Sequence, residues 1–104
     1  MELAEIGKNI LTNCMNVKPG ENVLIVTDDE KYAIGQALYQ AAKLLKAEAM
    51  LMTMTAREVS GQEPPAVVAA AMKAADVVIC PMKTSITHTR AKIEAAEAGA
   101  RIAT

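Results

Sequence analysis

The chain contains no tryptophan and no phenylalanine, and its aromatic content is Tyr32 and Tyr39 alone. Base stacking therefore has almost nothing to work with. The formal net charge is −1, with acidic and basic residues interleaved. No basic face exists to neutralise phosphates, so nucleic-acid binding is excluded as a main activity. Long apolar runs are missing too. The longest, Ala66–Met72, falls far below the ~20 residues that a bilayer requires, so no membrane partner is expected. The start, Met-Glu-Leu-Ala-Glu, is acidic and lacks the basic, then apolar, order of a signal peptide, which points to a cytoplasmic protein. Two cysteines, Cys14 and Cys80, fall in different elements and read as free buried thiols of a reducing compartment.

What remains is a globular composition: 104 residues, 52% apolar and 22% charged. That length suits one domain with one core. Core bulk has to come from Ala, Val, Ile, Leu and seven Met, and small side chains let helices sit close to a sheet.

Periodicity gives the elements. Leu3, Ile6, Ile10 and Cys14 recur at helical spacing, predicting a helix over 2–15, which the Pro19-Gly20 turn ends. Val23–Thr27 is a continuous β-branched run, as in a strand covered on both faces. Residues 30–46 return to helical spacing, with Ile34, Ala37, Leu38, Ala41 and Leu45 on one stripe. Ala49–Met54 reads as a second strand. A polar loop over Glu58–Glu63 follows, and Pro64-Pro65 opens a helix over Ala66–Ala75. Asp76–Cys80 is the third strand, stopped by Pro81. Thr89–Ala98 is a helix with Ala91, Ala95 and Ala98 on one face and Gly99 as its C-terminal cap. Ala100–Thr104 begins a fourth strand. The order α-βα-βα-βα-β predicts a three-layer α/β domain with a four-stranded, mostly parallel sheet, Rossmann-like or flavodoxin-like. Strand order stays open between two arrangements. The chain stops on its last strand, which reads as the front part of a longer protein.

In open α/β sheets ligands bind beyond the carboxyl ends of the strands, and two polar clusters fall there. Thr27-Asp-Asp-Glu30 follows strand one without the glycines that let backbone approach a pyrophosphate. A nucleotide fingerprint is thus absent, and Asp28 or Asp29 is read as the cap of the second helix. The second cluster, Lys83–Arg90, runs into a helix N-terminus where free N–H groups favour anions. Thr84, Ser85, Thr87, His88, Thr89 and Arg90 are the candidate anion- or substrate-binding residues, with Thr87 or Thr89 as helix cap the competing reading. His88, the only histidine, has no partners at metal-ligand spacing. Ser85 lacks an oriented base, and Cys80 lacks an activating neighbour. Met50, Met52 and Met54 read as core filling. No catalytic or metal-ligating residue is assigned within the chain.

Several stretches resemble the amino-terminal part of the aminopeptidase T family, thermophile-type, metal-dependent leucyl aminopeptidases. They are Val17-Lys-Pro-Gly-Glu-Asn-Val-Leu-Ile-Val26, Gln62-Glu-Pro-Pro65, Ala75-Asp-Val-Val-Ile79, Thr84-Ser-Ile-Thr-His-Thr-Arg-Ala91 and Gly99-Ala-Arg-Ile102. The most distinctive is Ser-x-Thr-His-Thr at Ser85–Thr89. Ala47 stands where such folds often end a helix on glycine. The resemblance implies a parent that cleaves N-terminal residues from peptides. Its Glu, His and Asp metal ligands, and hence a divalent zinc, cobalt or similar ion, belong to a carboxyl-terminal part that no position here matches. Related sequences include a metal-dependent dioxygenase that opens a dihydroxypyridine ring. The expected partners are the rest of the parent chain and further copies in a homo-oligomer. A free-standing small-anion binding module and a homo-oligomerisation domain are the alternatives.

Overall fold

A computed structural model describes residues 8–58, 62–83 and 89–103. A π-helical segment, Ile10–Cys14, precedes β1 (Asn22–Asp28), α1 (Tyr32–Leu44), β2 (Glu48–Met54), α2 (Ala66–Ala74), β3 (Val77–Ile79), α3 (Arg90–Glu97) and β4 (Arg101–Ala103). The four strands form one sheet in the order β2-β1-β3-β4, and every pairing is parallel. The predicted three-layer α/β class is therefore observed, and the open choice of strand order is resolved. From β1 the chain winds first to one side and then to the other, so the topological switch lies between β1 and β3.

The unbroken apolar run of β1 is explained by its position inside the sheet. Val23 and Ile25 pack with Leu11, Leu38, Ala41 and Ala42 on one face. Leu24 and Val26 pack with Val68, Met72, Ala91 and Ala95 on the other. All four β1 side chains are at most 2% exposed, and each contributes about 1.5–3 kcal/mol of burial.

Three helical stripes differ from expectation. In the amino-terminal segment Leu11 is buried in place of the predicted Ile10, which is half-buried, and Met15 is buried as well. Met15 N–H donates to Ile10 O at 3.1 Å, an i→i+5 bond that widens the turn and moves the buried face. Leu3 and Ile6 lie outside the described residues. In α1, Ile34 is 41% exposed and Gly35 is buried instead. A Cβ on Gly35 would stand 2.8 Å from both Cβ and Cγ2 of Thr27, so the helix crosses β1 too closely for any side chain. In α3, Ala91 and Ala95 are buried as predicted, whereas Ala98 is the exposed C-cap residue.

Both α1 and α3 end in the same backbone motif. After α3, Gly99 (φ 106°) donates to Ala96 O and Ala100 N–H to Ala95 O. After α1, Lys46 (φ 66°) donates to Lys43 O and Ala47 N–H to Ala42 O. These are Schellman caps. The left-handed position of the first is Lys46, a residue earlier than the Ala47 singled out in the sequence.

Candidate functional site at the carboxyl edge of the sheet

The ladder between β1 and β3 stops at Ile25↔Ile79, and the loops beyond it diverge across the switch point. Both are then sewn together by β1. Thr27 Oγ1 donates to Pro81 O at 2.9 Å, using a carbonyl two residues past the end of β3. Asp28 is fully buried. Its Oδ1 accepts Glu30 N–H at 3.0 Å and Lys31 N–H at 2.9 Å, and its Oδ2 accepts Lys83 N–H at 2.7 Å. A buried carboxylate is tolerable only with such donors. Neither aspartate is the helix cap: α1 is capped at Lys31, with no side-chain bond. The chain needs the residues between Asp28 and Tyr32 to turn off the strand, so the carboxylate reaches the amides of that turn and stops short of the helix.

Asp29 serves the neighbouring loop. Its N–H donates to Met54 O and its Oδ1 accepts Ala56 N–H, both at 3.1 Å. Glu30 pairs with Lys83 Nζ at 3.1 Å. The carboxylate hydrogen bond and charge raise the Lys83 pKa, but both groups are about half exposed and the pair adds little stability.

Of the candidate anion-binding residues, Thr84, Ser85, Thr87 and His88 lie outside the described residues. Thr89 and Arg90 form the start of α3. Thr89 is buried and is the N-cap, its Oγ1 accepting Lys92 N–H at 3.2 Å. The next two amides already face an anion. Arg90 N–H donates to Glu63 Oε2 at 2.6 Å and Ala91 N–H to Glu63 Oε1 at 3.2 Å. A carboxylate supplied by the segment before α2 thus occupies the position where helix dipole and free N–H groups favour negative charge. Sequence reading missed Glu63. Its signal was faint: a carboxylate immediately before two prolines that fix its backbone, separated by 27 residues from its partner.

The edge is therefore a frame in which the chain's own carboxylates bind its own amides. Among the described residues no group of three or more His, Cys, Asp or Glu is placed to hold a metal ion. Cys80, beside this frame, is a free thiol at 6% exposure. Burial pushes its pKa up to about 12, so it is protonated and unreactive at neutral pH.

At the opposite, amino-terminal edge lies a groove of about 270 Å³ between β2 and α2, lined by Asn22, Leu24, Met50, Ala71, Ala74 and Ala75. Its walls are almost wholly apolar. Nothing in the sequence pattern pointed to it, because its lining comes from three separate elements, β1, β2 and the end of α2.

No family model matches the chain, and no curated protein matches it. Among solved structures it is similar to the 2,5-dihydroxypyridine dioxygenase of Pseudomonas putida KT2440, with a TM-score of 0.77 and 18% identity. That match covers 96% of this chain and 32% of the dioxygenase chain. The likeness is one of fold, and this chain spans about a third of that protein's length.

Proposed function

We propose that this chain is the amino-terminal, non-catalytic α/β domain of a larger metal-dependent enzyme of the aminopeptidase T type, acting as scaffold and cleft wall. The observation that carries the reading is the commitment of the carboxyl edge to internal bonds. Asp28, Asp29 and Glu63 each accept backbone N–H groups, and Glu30 is paired with Lys83. Such an edge is rigid and suited to holding a neighbouring surface in place. The residue stretches from Val17 to Ile102 that resemble the aminopeptidase family support the same reading. In it, a divalent ion held elsewhere in the parent would supply the Lewis acidity for peptide hydrolysis, and Thr89 and Arg90, at the start of α3, would stand at one wall of the cleft.

The fold likeness to a 2,5-dihydroxypyridine dioxygenase favours a second reading, in which the parent opens an aromatic ring. The test is to express the longer chain, supply zinc, cobalt or ferrous ion in turn, and assay it on leucine p-nitroanilide and on 2,5-dihydroxypyridine. Metal-dependent release of p-nitroaniline is the expected result. Ring opening without peptide hydrolysis transfers the domain to the second reading. Inactivity on both, in a folded and metal-loaded parent, sinks the enzymatic reading and leaves anion binding or assembly.

A further inference from the structure

β2 is one edge of the sheet. Its seven residues pair with β1 in unbroken register, Asn22↔Glu48 through Asp28↔Met54, and among the described residues no strand covers its other side. The usual protections of an open edge are absent: Glu-Ala-Met-Leu-Met-Thr-Met contains no proline, no bulge and one charge, at its first residue. The faces are segregated. Met52 and Met54 pack toward the α2–α3 layer and Met50 lines the groove beside α2, itself 39% exposed. Ala49 and Leu51 pack toward α1.

We infer that this edge pairs with β2 of a second copy of the chain, antiparallel, about a two-fold axis through Met52. A two-fold axis perpendicular to the sheet keeps each face on its own side. Met50 then lies opposite Met54 of the other copy and Leu51 opposite its Thr53, so apolar residues meet apolar or neutral ones throughout. Charge selects this register. Centring on Leu51 would set Glu48 against the apolar Met54, and centring on Met50 would set it against Met52. Centring on Met52 carries Glu48 past the end of the other strand, opposite Ala56 and beside Arg57. Among the described residues neither Glu48 nor Arg57 has an ion pair, and Arg57 also keeps a buried Nε without an acceptor. Two symmetry-related Glu48–Arg57 pairs would close the ends of an eight-stranded sheet. This inference does not depend on the reaction proposed for the parent.

Cysteine cross-linking of the 104-residue chain tests it. Facing residues of antiparallel strands have Cα atoms roughly 4.5–5.5 Å apart, within the span a disulfide bridges. Met52→Cys, on the axis, is expected to oxidise to a covalent dimer of twice 11.0 kDa. Met50→Cys, four positions from its own mate and so roughly 13 Å away, is expected to stay uncrosslinked. The unmodified chain should sediment as a dimer. Glu48→Lys should weaken dimerisation at least tenfold, with the Arg57→Glu exchange restoring it. A chain that sediments as a monomer at every concentration overturns the inference, and leaves the edge to an extended peptide or another part of the parent. Equal cross-linking at positions 50 and 52 overturns it too.

Discussion

Replacing Lys46 by glycine tests the left-handed cap that ends α1. Lys46 holds φ at 66°, a conformation costing an L-residue roughly 1–2 kcal/mol relative to the right-handed region. Glycine removes that cost but adds about 0.4–1 kcal/mol of unfolded-state entropy. The Lys46 side chain is exposed and forms no ion pair among the described residues, while its main-chain bonds, N–H to Lys43 O and carbonyl from Gly20 N–H, survive the change. The net expectation is a gain of about 0.5–1 kcal/mol. For a domain of this size that corresponds to roughly 2–6 °C in Tm, readable by calorimetry and by the urea midpoint at constant m. Lys46→Ala keeps the strain and should stay within about 0.5 kcal/mol of the parent. Ala47→Gly, at the position where the family pattern favours glycine, should bring no gain, because Ala47 is the next residue of the motif and carries no positive φ. A neutral or destabilising Lys46→Gly, or a larger gain at Ala47, would refute the assignment of the cap.

Other substitutions probe the packing and the edge frame. Gly35→Ala should destabilise by about 1 kcal/mol in urea, since a Cβ 2.8 Å from Thr27 costs about 1–3 kcal/mol of overpacking against roughly 1 kcal/mol of helix propensity gained; a more stable variant would show that α1 can move off β1. Asp28→Asn retains an acceptor for Glu30 and Lys31 but turns an amide donor toward Lys83 N–H, 2.7 Å away. A loss of about 2–3 kcal/mol is expected, with faster hydrogen exchange at the Lys83 amide, and unchanged exchange there would count against the stitch. Cys80 supplies a pH dependence. Its folded pKa is raised from 9.0 to about 12 by burial, so the folded state retains a proton that the unfolded state releases. The stabilisation is fully present below pH 9 and is lost as pH rises toward 12. A Cys80→Ala variant should show a flatter stability profile across that window, and the native thiol should resist thiol reagents at pH 8 until urea exposes it.

How much of this was legible beforehand depended on the range of the interaction. The apolar run Val23–Thr27 announced a strand buried on both faces because β1 is interior, and it is. Gly99 announced its cap, since a left-handed residue is cheapest as glycine. Lys46 gave no such signal: the same motif forms there at a cost that the surrounding bonds sustain. Ile34 looked like a core residue by spacing, yet the helix turns Gly35 inward because Thr27 leaves room for nothing larger. At the carboxyl edge, Thr89 could be read as one of two possible caps for α3. Glu63 could not be read as its anion, because a crossover of 27 residues separates donor from acceptor.

The sequence by itself determined the class of this protein: alternating strand and helix periods with short connections leave a layered parallel α/β domain as the consistent solution. Only the tertiary structure decided the strand order, the partners of Asp28, Asp29 and Glu63, and the bare edge of β2. Each of these depends on which distant segments become neighbours. A carboxylate looks the same in sequence whether it faces water, a metal or a buried amide, and the fold alone chooses among them.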